Sequence, residues 1–137
     1  MSQPFHITRR VEFGETDMAG IAHFSNFFRY MEVAETDFLQ GHGLSVAWDD
    51  NGQRFGFPRV SVACDFKRPV RFRDVLDIAV TVEEVGRKSV RYRFDFTHKG
   101  NEVAVGRITA VCCRSTPEHG IESIEIPPEV RAKLEGK

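Results

Sequence analysis

The sequence predicts an α+β fold, with one long helix and a five-stranded antiparallel sheet. Five segments alternate with the two-residue period of a strand, and a single segment has the spacing of a helix. The turns between the later strands are only two or three residues long, which requires antiparallel hairpins. Because 137 residues are enough for one domain, we expect a single domain over residues 1–137.

The first third of the chain predicts one strand, one loop and the helix. The strand covers residues 5–13, and its apolar face carries Phe5, Ile7, Val11 and Phe13. Residues 14–23 are rich in small and polar side chains, which is typical of a loop. The helix follows over about residues 24–40 and ends at Gly41 and Gly43. Its apolar stripe consists of Phe27, Met31, Ala34 and Phe38, and off this stripe lie Arg29, Glu32 and Glu35.

The rest of the chain predicts four more strands. Residues 45–57 contain the run Asp49-Asp50-Asn51-Gly52 and are expected to form an exposed connection. The strands lie at residues 60–66, 76–83, 90–96 and 102–114, and a short helix-prone segment ends the chain. One face of the last strand carries mostly small side chains, which a strand needs where a helix lies close on it.

Composition and charge exclude several classes of protein. Lys and Arg number 19 against 20 Asp and Glu, a net charge of −1, which argues against a protein that coats nucleic acid. No apolar run approaches the roughly 18 residues of a membrane-spanning helix, and the first residues contain no apolar signal core. The three cysteines and five histidines lack disulfide or metal-ligand spacing. We therefore expect a reduced, cytoplasmic protein that binds neither a metal, a membrane nor nucleic acid.

Phenylalanine occurs 12 times, against a single tryptophan. A domain of this size buries about 70% of its unfolded surface, so this many phenylalanines indicate a second buried surface or an apolar pocket. One helix also cannot cover both faces of a five-stranded sheet, and the other face carries apolar residues of its own. We therefore expect the chain to pair with a second copy.

The loop before the helix is the strongest candidate for a catalytic site. It places the Asp17 carboxylate, the flexible Gly20 and the start of a helix within ten residues. Asp17 is a candidate nucleophile or general base, and N–H groups at the helix start would polarise a carbonyl. Alternatively, Asp17 fixes a turn by binding its own backbone. His23 is a candidate proton shuttle, or a residue that caps the helix or lines a pocket.

Basic residues form two clusters in the sequence. The first comprises Lys67, Arg68, Arg71 and Arg73, and the second comprises Arg87, Lys88 and Arg91. Because the overall charge is near zero, such clusters can bind a small phosphorylated ligand without implying nucleic acid. Alternatively, they are the solvated edge of a sheet.

Residues 11–27 resemble the signature segment of the 4-hydroxybenzoyl-CoA thioesterase family, which has the hotdog fold. The shared pattern is the Asp17-x-x-Gly20 loop, which leads into a phenylalanine-rich helix. Further landmarks follow in order: Pro58, Asp74-Val75-Leu76, Gly86-Arg87-Lys88-Ser89 and Ile126-Pro127. The resemblance covers nearly the whole chain. It implies a five-stranded antiparallel sheet wrapped around one long central helix, with a dimer as the minimum unit.

The resemblance also implies hydrolysis of an acyl-CoA thioester, with coenzyme A as part of the substrate and no separate cofactor. In such enzymes the loop aspartate, matched by Asp17, is the nucleophile or the base for water. The backbone N–H of Phe24 would bind the thioester oxygen, and Gly20 would let the loop approach closely. Family members often carry Tyr or His in place of Phe24, but a role of the backbone is preserved by phenylalanine.

Further residues are implied to bind the substrate. The channel for the acyl and pantetheine groups would be lined by Phe57, Pro58 and Arg59. The phosphates of the CoA nucleotide would be approached by Gly86, Arg87 and Lys88. Additional candidates for the pocket wall are His23 and Trp48. Phenylalanines and a tryptophan are compatible with an aromatic or a short to medium aliphatic acyl group, and the sequence does not distinguish CoA from an acyl carrier protein.

Two alternatives belong to other functional classes. A hotdog hydratase or dehydratase would pair a histidine with a carboxylate, and His23-Phe24 resembles the dehydratase His-Phe pair. The proline- and glycine-rich run expected after it is replaced by Ser25-Asn26-Phe27, and Asp17 and His23 lack the hydratase spacing. The second alternative is a non-catalytic acyl-CoA-binding module, against which the presence of Asp17 argues. A dimer and a tetramer both remain open.

Overall fold

The computed structural model describes residues 3–137, so the first two residues of the predicted domain lie outside the described range. The strands are β1 (Phe5–Arg10), β2 (Ala47–Asp50), β3 (Gln53–Gly56), β4 (Arg59–Phe66), β5 (Val75–Val85), β6 (Ser89–His98), β7 (Asn101–Val111), β8 (Cys113–Thr116) and β9 (Gly120–Ser123). The helices are α1 (Asn26–Gly41) and α2 (Pro128–Leu134), and a 3-10 turn covers Phe13–Glu15. Neither helix is long and apolar enough to cross a membrane. The predicted α+β class is confirmed.

The central sheet contains five antiparallel strands in the order β1-β5-β6-β7-β4. The predicted hairpins between β5, β6 and β7 are confirmed. The β6–β7 turn consists of Lys99 and Gly100, whose φ angles are 51° and 81°. Two central residues with positive φ are typical of a type I′ turn, whose twist matches that of the flanking strands.

A second sheet, of four strands in the order β2-β3-β8-β9, makes the predicted count of five strands too low. Residues 45–57 were expected to be an exposed connection but contain the β2–β3 hairpin, with its turn at Asn51 and Gly52. Each of these strands is four residues long, too short for an alternation to stand out beside turn-forming residues. The predicted last strand is divided at Cys112 and passes from the central sheet as β7 to the second sheet as β8.

The first strand is shorter than predicted. It ends at Arg10, and Phe13, expected on the buried face, lies in the 3-10 turn and is 74% exposed. Glu12 and Glu15 form a capping box there, in which the Glu12 N–H donates to Oε1 of Glu15 at 2.8 Å and the Glu15 N–H donates to the Glu12 carbonyl oxygen at 3.0 Å. These bonds replace the strand ladder, so the alternation stops at the buried Val11.

Helix α1 packs its apolar stripe against the central sheet. All four stripe residues are buried: Phe27, Met31, Ala34 and Phe38. The sheet makes room for the helix at Gly106, where an added Cβ would lie 2.3 Å from the Sδ atom of Met31. The expected close contact between the helix and the small-residue face of β7 is confirmed at this position.

Replacing Gly106 by alanine is expected to lower the free energy of unfolding by about 1–3 kcal/mol, because the new methyl group overlaps a fully buried side chain. Urea unfolding followed by circular dichroism measures this change. Gly14→Ala is the matched control, since a Cβ at Gly14 would meet no atom within 4 Å. Equal stability of the two variants would show that Met31 moves aside without cost.

Strand β4 forms one edge of the central sheet and leaves apolar side chains exposed. Among the described residues it pairs with β7 alone. Three of its apolar side chains are exposed, namely Val60, Val62 and Phe66. An uncovered edge strand of eight residues is a template for pairing with another chain. Pairing with a second copy stays a prediction, and this edge is a candidate surface for it.

Candidate active site

Asp17 lies in a tight loop between the 3-10 turn and α1. Its carbonyl oxygen accepts a hydrogen bond from the N–H of Gly20, and its Oδ1 accepts one from the N–H of Ala19, both at 2.9 Å. One carboxylate oxygen therefore fixes the turn. Within residues 3–137 the other oxygen, Oδ2, accepts no hydrogen bond. Gly20 has a φ of 79°, a left-handed conformation that favours glycine, and a Cβ added there would meet no atom within 4 Å.

The start of α1 presents an unused backbone donor beside this loop. The helix begins at Asn26, later than predicted, because the N–H of Asn26 bonds to the carbonyl of His23 and closes a turn before it. The N–H of His23 bonds to the carbonyl of Glu15 at 2.8 Å. The N–H of Phe24 donates to no acceptor in the part of the chain that the structure describes. It is free to polarise a carbonyl group of a ligand.

A cavity of about 460 Å³, the Asp17 cavity, brings these groups together. Its wall includes a carboxylate, three aromatic side chains and two cations, contributed by Asp17, Phe24, Phe27, Phe66, Lys67 and Arg68. Two members of the first basic cluster therefore lie beside the candidate catalytic loop. The cavity is therefore lined by an acidic residue, by a residue whose backbone N–H is unused and by apolar side chains, and acyl transfer requires a carboxylate and a polarising N–H group.

The Glu15 side chain connects the Asp17 loop to β1 and α1. Its Oε2 lies 2.5 Å from Nη2 of Arg9, and its Oε1 accepts hydrogen bonds from the Tyr30 hydroxyl at 2.9 Å and the Glu12 N–H at 2.8 Å. Burial acts to raise the pKa of Glu15, but these donors outweigh it and hold the pKa below its usual value. Sequence reasoning missed this residue, because its partners come from three separate elements and form no motif.

Replacing Glu15 by glutamine is expected to lower the free energy of unfolding by about 1–3 kcal/mol at pH 7, because it removes a charged carboxylate that accepts hydrogen bonds from three donors. The folded-state pKa of Glu15 lies below its unfolded-state pKa. The stabilisation by the ionised carboxylate is therefore complete above the unfolded-state pKa and is lost as the pH falls through the folded-state pKa. The stability difference between wild type and variant, measured by urea unfolding, should therefore shrink as the pH falls below the unfolded-state pKa of Glu15.

Glu84→Gln is the matched control for this measurement, since Glu84 forms an exposed ion pair with Arg91 at 3.6 Å. It is expected to change stability by less than about 0.5 kcal/mol. A difference between wild type and Glu15→Gln that stays constant from pH 7 to pH 3 would contradict a role of the ionised carboxylate.

His23 and Trp48, the additional candidates for the pocket wall, do not line the Asp17 cavity of the same chain. His23 is exposed, with its Nδ1 2.8 Å from the Ser25 hydroxyl and its ring stacked on Phe24. Trp48 lies in β2 and lines a separate cavity beside α2. Since His23 binds Ser25 and not Asp17, the histidine–carboxylate pair of a hydratase is not formed in this chain.

The residues implied for the acyl channel lie together in a second cavity of about 320 Å³, the Arg59 cavity. Phe57, Pro58 and Arg59 form part of its wall, at the start of β4. Glu35 in α1 holds the Arg59 guanidinium, with its Oε1 2.5 Å from Nη2 and 2.7 Å from Nε. Glu35 lies off the apolar stripe yet is fully buried. Burial raises the pKa of Glu35, and Arg59 acts in the opposite direction.

The Gly86-Arg87-Lys88 turn lies at the same end of the central sheet as Arg59. Ala110 in β7 pairs with both Arg59 and Val90, so two strand spacings, roughly 10 Å, separate Arg59 from the start of β6. Within the turn, Arg87 forms an exposed ion pair with Glu125 at 2.5 Å. The implied acyl-binding and phosphate-binding residues therefore share one end of the sheet.

Within one chain, the residues implied for the acyl channel and for the CoA phosphates lie far from Asp17. Strand β4 runs from Arg59, beside its own cavity, to Phe66, beside the Asp17 cavity. At about 3.3 Å per residue, its two ends are about 23 Å apart. Asp17, Gly20 and Phe24 therefore lie at the opposite end of this strand from Arg59. Within one chain the predicted site is divided into two halves.

Comparison with known proteins identifies the family. A model described as the thioesterase-like superfamily matches residues 11–134. A 1,4-dihydroxy-2-naphthoyl-CoA hydrolase of Synechococcus sp. (strain CC9311) is 33% identical over 118 residues, which cover 80% of this chain and 76% of that protein. The family model, over residues 11–134, spans the Asp17 loop, α1 and all of the strands except β1.

Two solved structures have the same fold. The structure of a gentisyl-coenzyme A thioesterase matches with a TM-score of 0.79 and 28% identity, covering 95% of this chain and 99% of that one. The 4-hydroxybenzoyl CoA thioesterase from Pseudomonas sp. strain CBS-3 matches with a TM-score of 0.82 and 22% identity, covering 96% and 99%. The chain therefore belongs to the thioesterase-like superfamily and is a thioester hydrolase of the hotdog fold.

Proposed function

We propose that this protein hydrolyses an acyl-CoA with an aromatic or a short to medium aliphatic acyl group to the free acid and CoA. The observation that supports this most directly is that one cavity is lined by both Asp17 and Phe24, the residue whose backbone N–H has no acceptor within residues 3–137. A thioester is already reactive, so the site needs only to orient water, supply a carboxylate and polarise the carbonyl.

In the proposed reaction the thioester oxygen accepts a hydrogen bond from the Phe24 N–H, and the positive end of the α1 dipole favours the charge that develops there. Oδ2 of Asp17 either takes a proton from the attacking water or attacks the carbonyl carbon itself. In both routes the C–S bond breaks, the CoA thiolate leaves with the bonding electrons, and one water molecule is consumed. Oδ1 continues to accept the hydrogen bond from the Ala19 N–H, which keeps the carboxylate in its orientation.

The complete site is proposed to form between two copies of the chain. Antiparallel pairing of β4 with its counterpart in a second copy would place the Arg59 end of one strand beside the Phe66 end of the other. That arrangement joins the two halves that one chain keeps about 23 Å apart, and it covers an exposed apolar edge. A homodimer is then the smallest active unit, and a homotetramer would contain two of them.

The CoA nucleotide is proposed to contact cations from both copies. Gly86, Arg87 and Lys88 come from the chain that supplies Phe57, Pro58 and Arg59, while Lys67 and Arg68 lie on the Asp17 cavity of the other chain. The Lys67 ammonium is 3.4 Å from a Glu102 carboxylate oxygen on the exposed surface, where a phosphate could compete for it. No cofactor takes part beyond the CoA group of the substrate.

Thiol release from a panel of acyl-CoAs tests the proposed function. The panel should include aromatic, short, medium and long acyl groups, assayed with wild type and with Asp17→Asn. Turnover of one acyl class that is lost in the variant supports both the reaction and the carboxylate. If wild type binds CoA thioesters but releases no thiol from any of them, the hydrolytic assignment is wrong and a binding module is favoured.

A further inference from the structure

We infer that two residues at the C-terminal end of the chain set how tightly the Gly86-Arg87-Lys88 turn binds the phosphates of the CoA nucleotide. Arg131 is a positioning residue that fixes the backbone of this turn, and Glu125 competes with the phosphates for Arg87. The inference rests on the nucleotide-binding part of the proposed function and adds two residues to it, neither of which contacts the acyl group.

The Arg131 side chain reaches from α2 to the backbone of the turn. Its Nη2 donates to the Gly86 carbonyl oxygen at 2.6 Å and lies 3.3 Å from the carbonyl oxygen of Arg87. Its Nη1 lies 3.5 Å from the carbonyl oxygen of Val85. One guanidinium group therefore contacts three successive carbonyl groups, which its planar fork of donors makes possible.

The hydrogen bonds of the turn occupy its carbonyl groups and leave N–H groups for a ligand. The Arg87 carbonyl also accepts from the N–H of Ile126 at 2.9 Å, and the Lys88 carbonyl accepts from the N–H of Cys112 at 2.7 Å. Within residues 3–137 the N–H groups of Arg87 and Lys88 donate to no acceptor. Backbone N–H groups next to cations are typical of an anion site, so a phosphate finds donors at this turn and no free carbonyl.

Each of these unused N–H groups belongs to the same peptide unit as a carbonyl that Arg131 contacts. A peptide unit is planar and trans, so its N–H points away from its carbonyl oxygen. By holding the oxygens of Gly86 and Arg87, Arg131 therefore fixes the directions of the N–H groups of Arg87 and Lys88. Without Arg131 the two peptide units rotate more freely, and a phosphate has to order them when it binds.

Glu125 occupies one of the two cations of the turn. Its Oε1 lies 2.5 Å from Nη2 of Arg87 and 3.2 Å from Nε. These hydrogen bonds hold the pKa of Glu125 below its usual value, so the carboxylate is charged at pH 7. Both side chains are exposed, and an exposed ion pair is weak. A phosphate binds a guanidinium by the same paired hydrogen bonds and can displace the carboxylate.

Calorimetric binding of two non-hydrolysable thioethers, S-hexyl-CoA and S-hexyl-pantetheine, tests this inference. The second compound lacks the phosphorylated nucleotide, so the ratio of the two Kd values reports nucleotide binding alone. In wild type, Kd is expected to be at least about 10-fold lower for S-hexyl-CoA. Equal Kd values would show that the nucleotide is not bound, and would overturn the inference.

Arg131→Met keeps an unbranched apolar stem and removes the donors. We expect the Kd of S-hexyl-CoA to rise about 10-fold and that of S-hexyl-pantetheine to change by less than about 2-fold. Arg131→Lys keeps the charge but not the planar fork, so it should recover only part of the affinity; a wild-type Kd would contradict a positioning role. Arg107→Met is the matched control, because Arg107 pairs with Glu83 at 3.1 Å and lines neither the Asp17 cavity nor the Arg59 cavity.

Glu125→Gln is expected to change affinity in the opposite direction, which a damaged fold cannot imitate. Removing the charge that holds Arg87 should lower the Kd of S-hexyl-CoA by about 3-fold and leave that of S-hexyl-pantetheine unchanged. Glu122→Gln is the matched control, since Glu122 also forms a surface ion pair, with Nε of Arg114 at 3.1 Å. It should leave both Kd values unchanged. An unchanged or higher Kd of S-hexyl-CoA in Glu125→Gln would contradict the competition.

The outcomes separate this inference from the proposed reaction, because neither thioether is hydrolysed. If the Kd values follow the expected pattern but no acyl-CoA releases thiol, the inference stands and the hydrolytic function fails. If acyl-CoAs are hydrolysed but Arg131→Met and Glu125→Gln bind S-hexyl-CoA as wild type does, the inference is overturned and the hydrolytic function stands. Equal weakening of both thioethers by Arg131→Met also overturns it, since the variant then acts on the whole site.

Discussion

Replacing Asp17 by asparagine is expected to lower kcat for acyl-CoA hydrolysis by about 1,000-fold and to change KM by less than about 3-fold. The amide oxygen can still accept the hydrogen bond of the Ala19 N–H, so the turn is kept. What is lost is the basicity of the second oxygen, which an amide nitrogen cannot supply. Steady-state thiol release, with CoA-thioester binding measured separately, gives both parameters.

The matched control for Asp17→Asn is Asp50→Asn, which makes the same chemical change at an exposed position in the β2–β3 hairpin. It should leave kcat and KM at the wild-type values. An unchanged kcat in Asp17→Asn would remove the carboxylate from the reaction and reduce Asp17 to the residue that fixes its turn.

A heterodimer with Asp17→Asn in one chain and Arg87→Ala with Lys88→Ala in the other is expected to retain about half of the wild-type kcat/KM. If each site takes Asp17 from one chain and the Gly86-Arg87-Lys88 turn from the other, both defects fall in one site and the second site is intact. Co-expression of two differently tagged chains and tandem affinity purification yield this heterodimer, and thiol release at low substrate concentration measures it.

The reverse arrangement distinguishes a shared site from two separate ones. All three substitutions are placed in one chain, and the other chain is wild type. A shared site then loses Asp17 in one copy and the two cations in the other, so activity at low substrate concentration should fall well below half. If each chain formed its own site, this second heterodimer would keep half of the activity, because one chain is wild type. The first heterodimer would then have a defect in both sites and fall well below half of the wild-type activity.

The sequence predicts those parts of the fold that depend on local patterns. The stripe of α1 and the hairpins around β6 follow from side-chain periodicity and short turns, and the structure confirms both. The β2–β3 hairpin was missed because four-residue strands do not display a period. Phe13 was placed on a buried face because the alternation continues in the sequence past the point where the capping box ends β1.

The candidate site was predictable only in part. The Asp17 loop and the helix start are neighbours in the sequence, so one short motif contains both. Glu15, Tyr30 and Arg9 meet only after folding, and the pair of Glu35 with Arg59 joins residues 24 positions apart. The division of the site between two ends of β4 depends on the length and direction of the strand, which residue types do not reveal.

The hydrogen bonds of Glu15 also determine when the Asp17 loop becomes ordered. The Glu15 side chain joins β1, the 3-10 turn and α1, and the Glu15 carbonyl oxygen accepts the N–H of His23 and the side-chain amide of Asn26. The loop loses its conformational entropy once, when the chain folds, rather than each time a substrate arrives. In the proposed reaction, binding energy from CoA is then not spent on ordering the protein and remains available to align the thioester with Asp17.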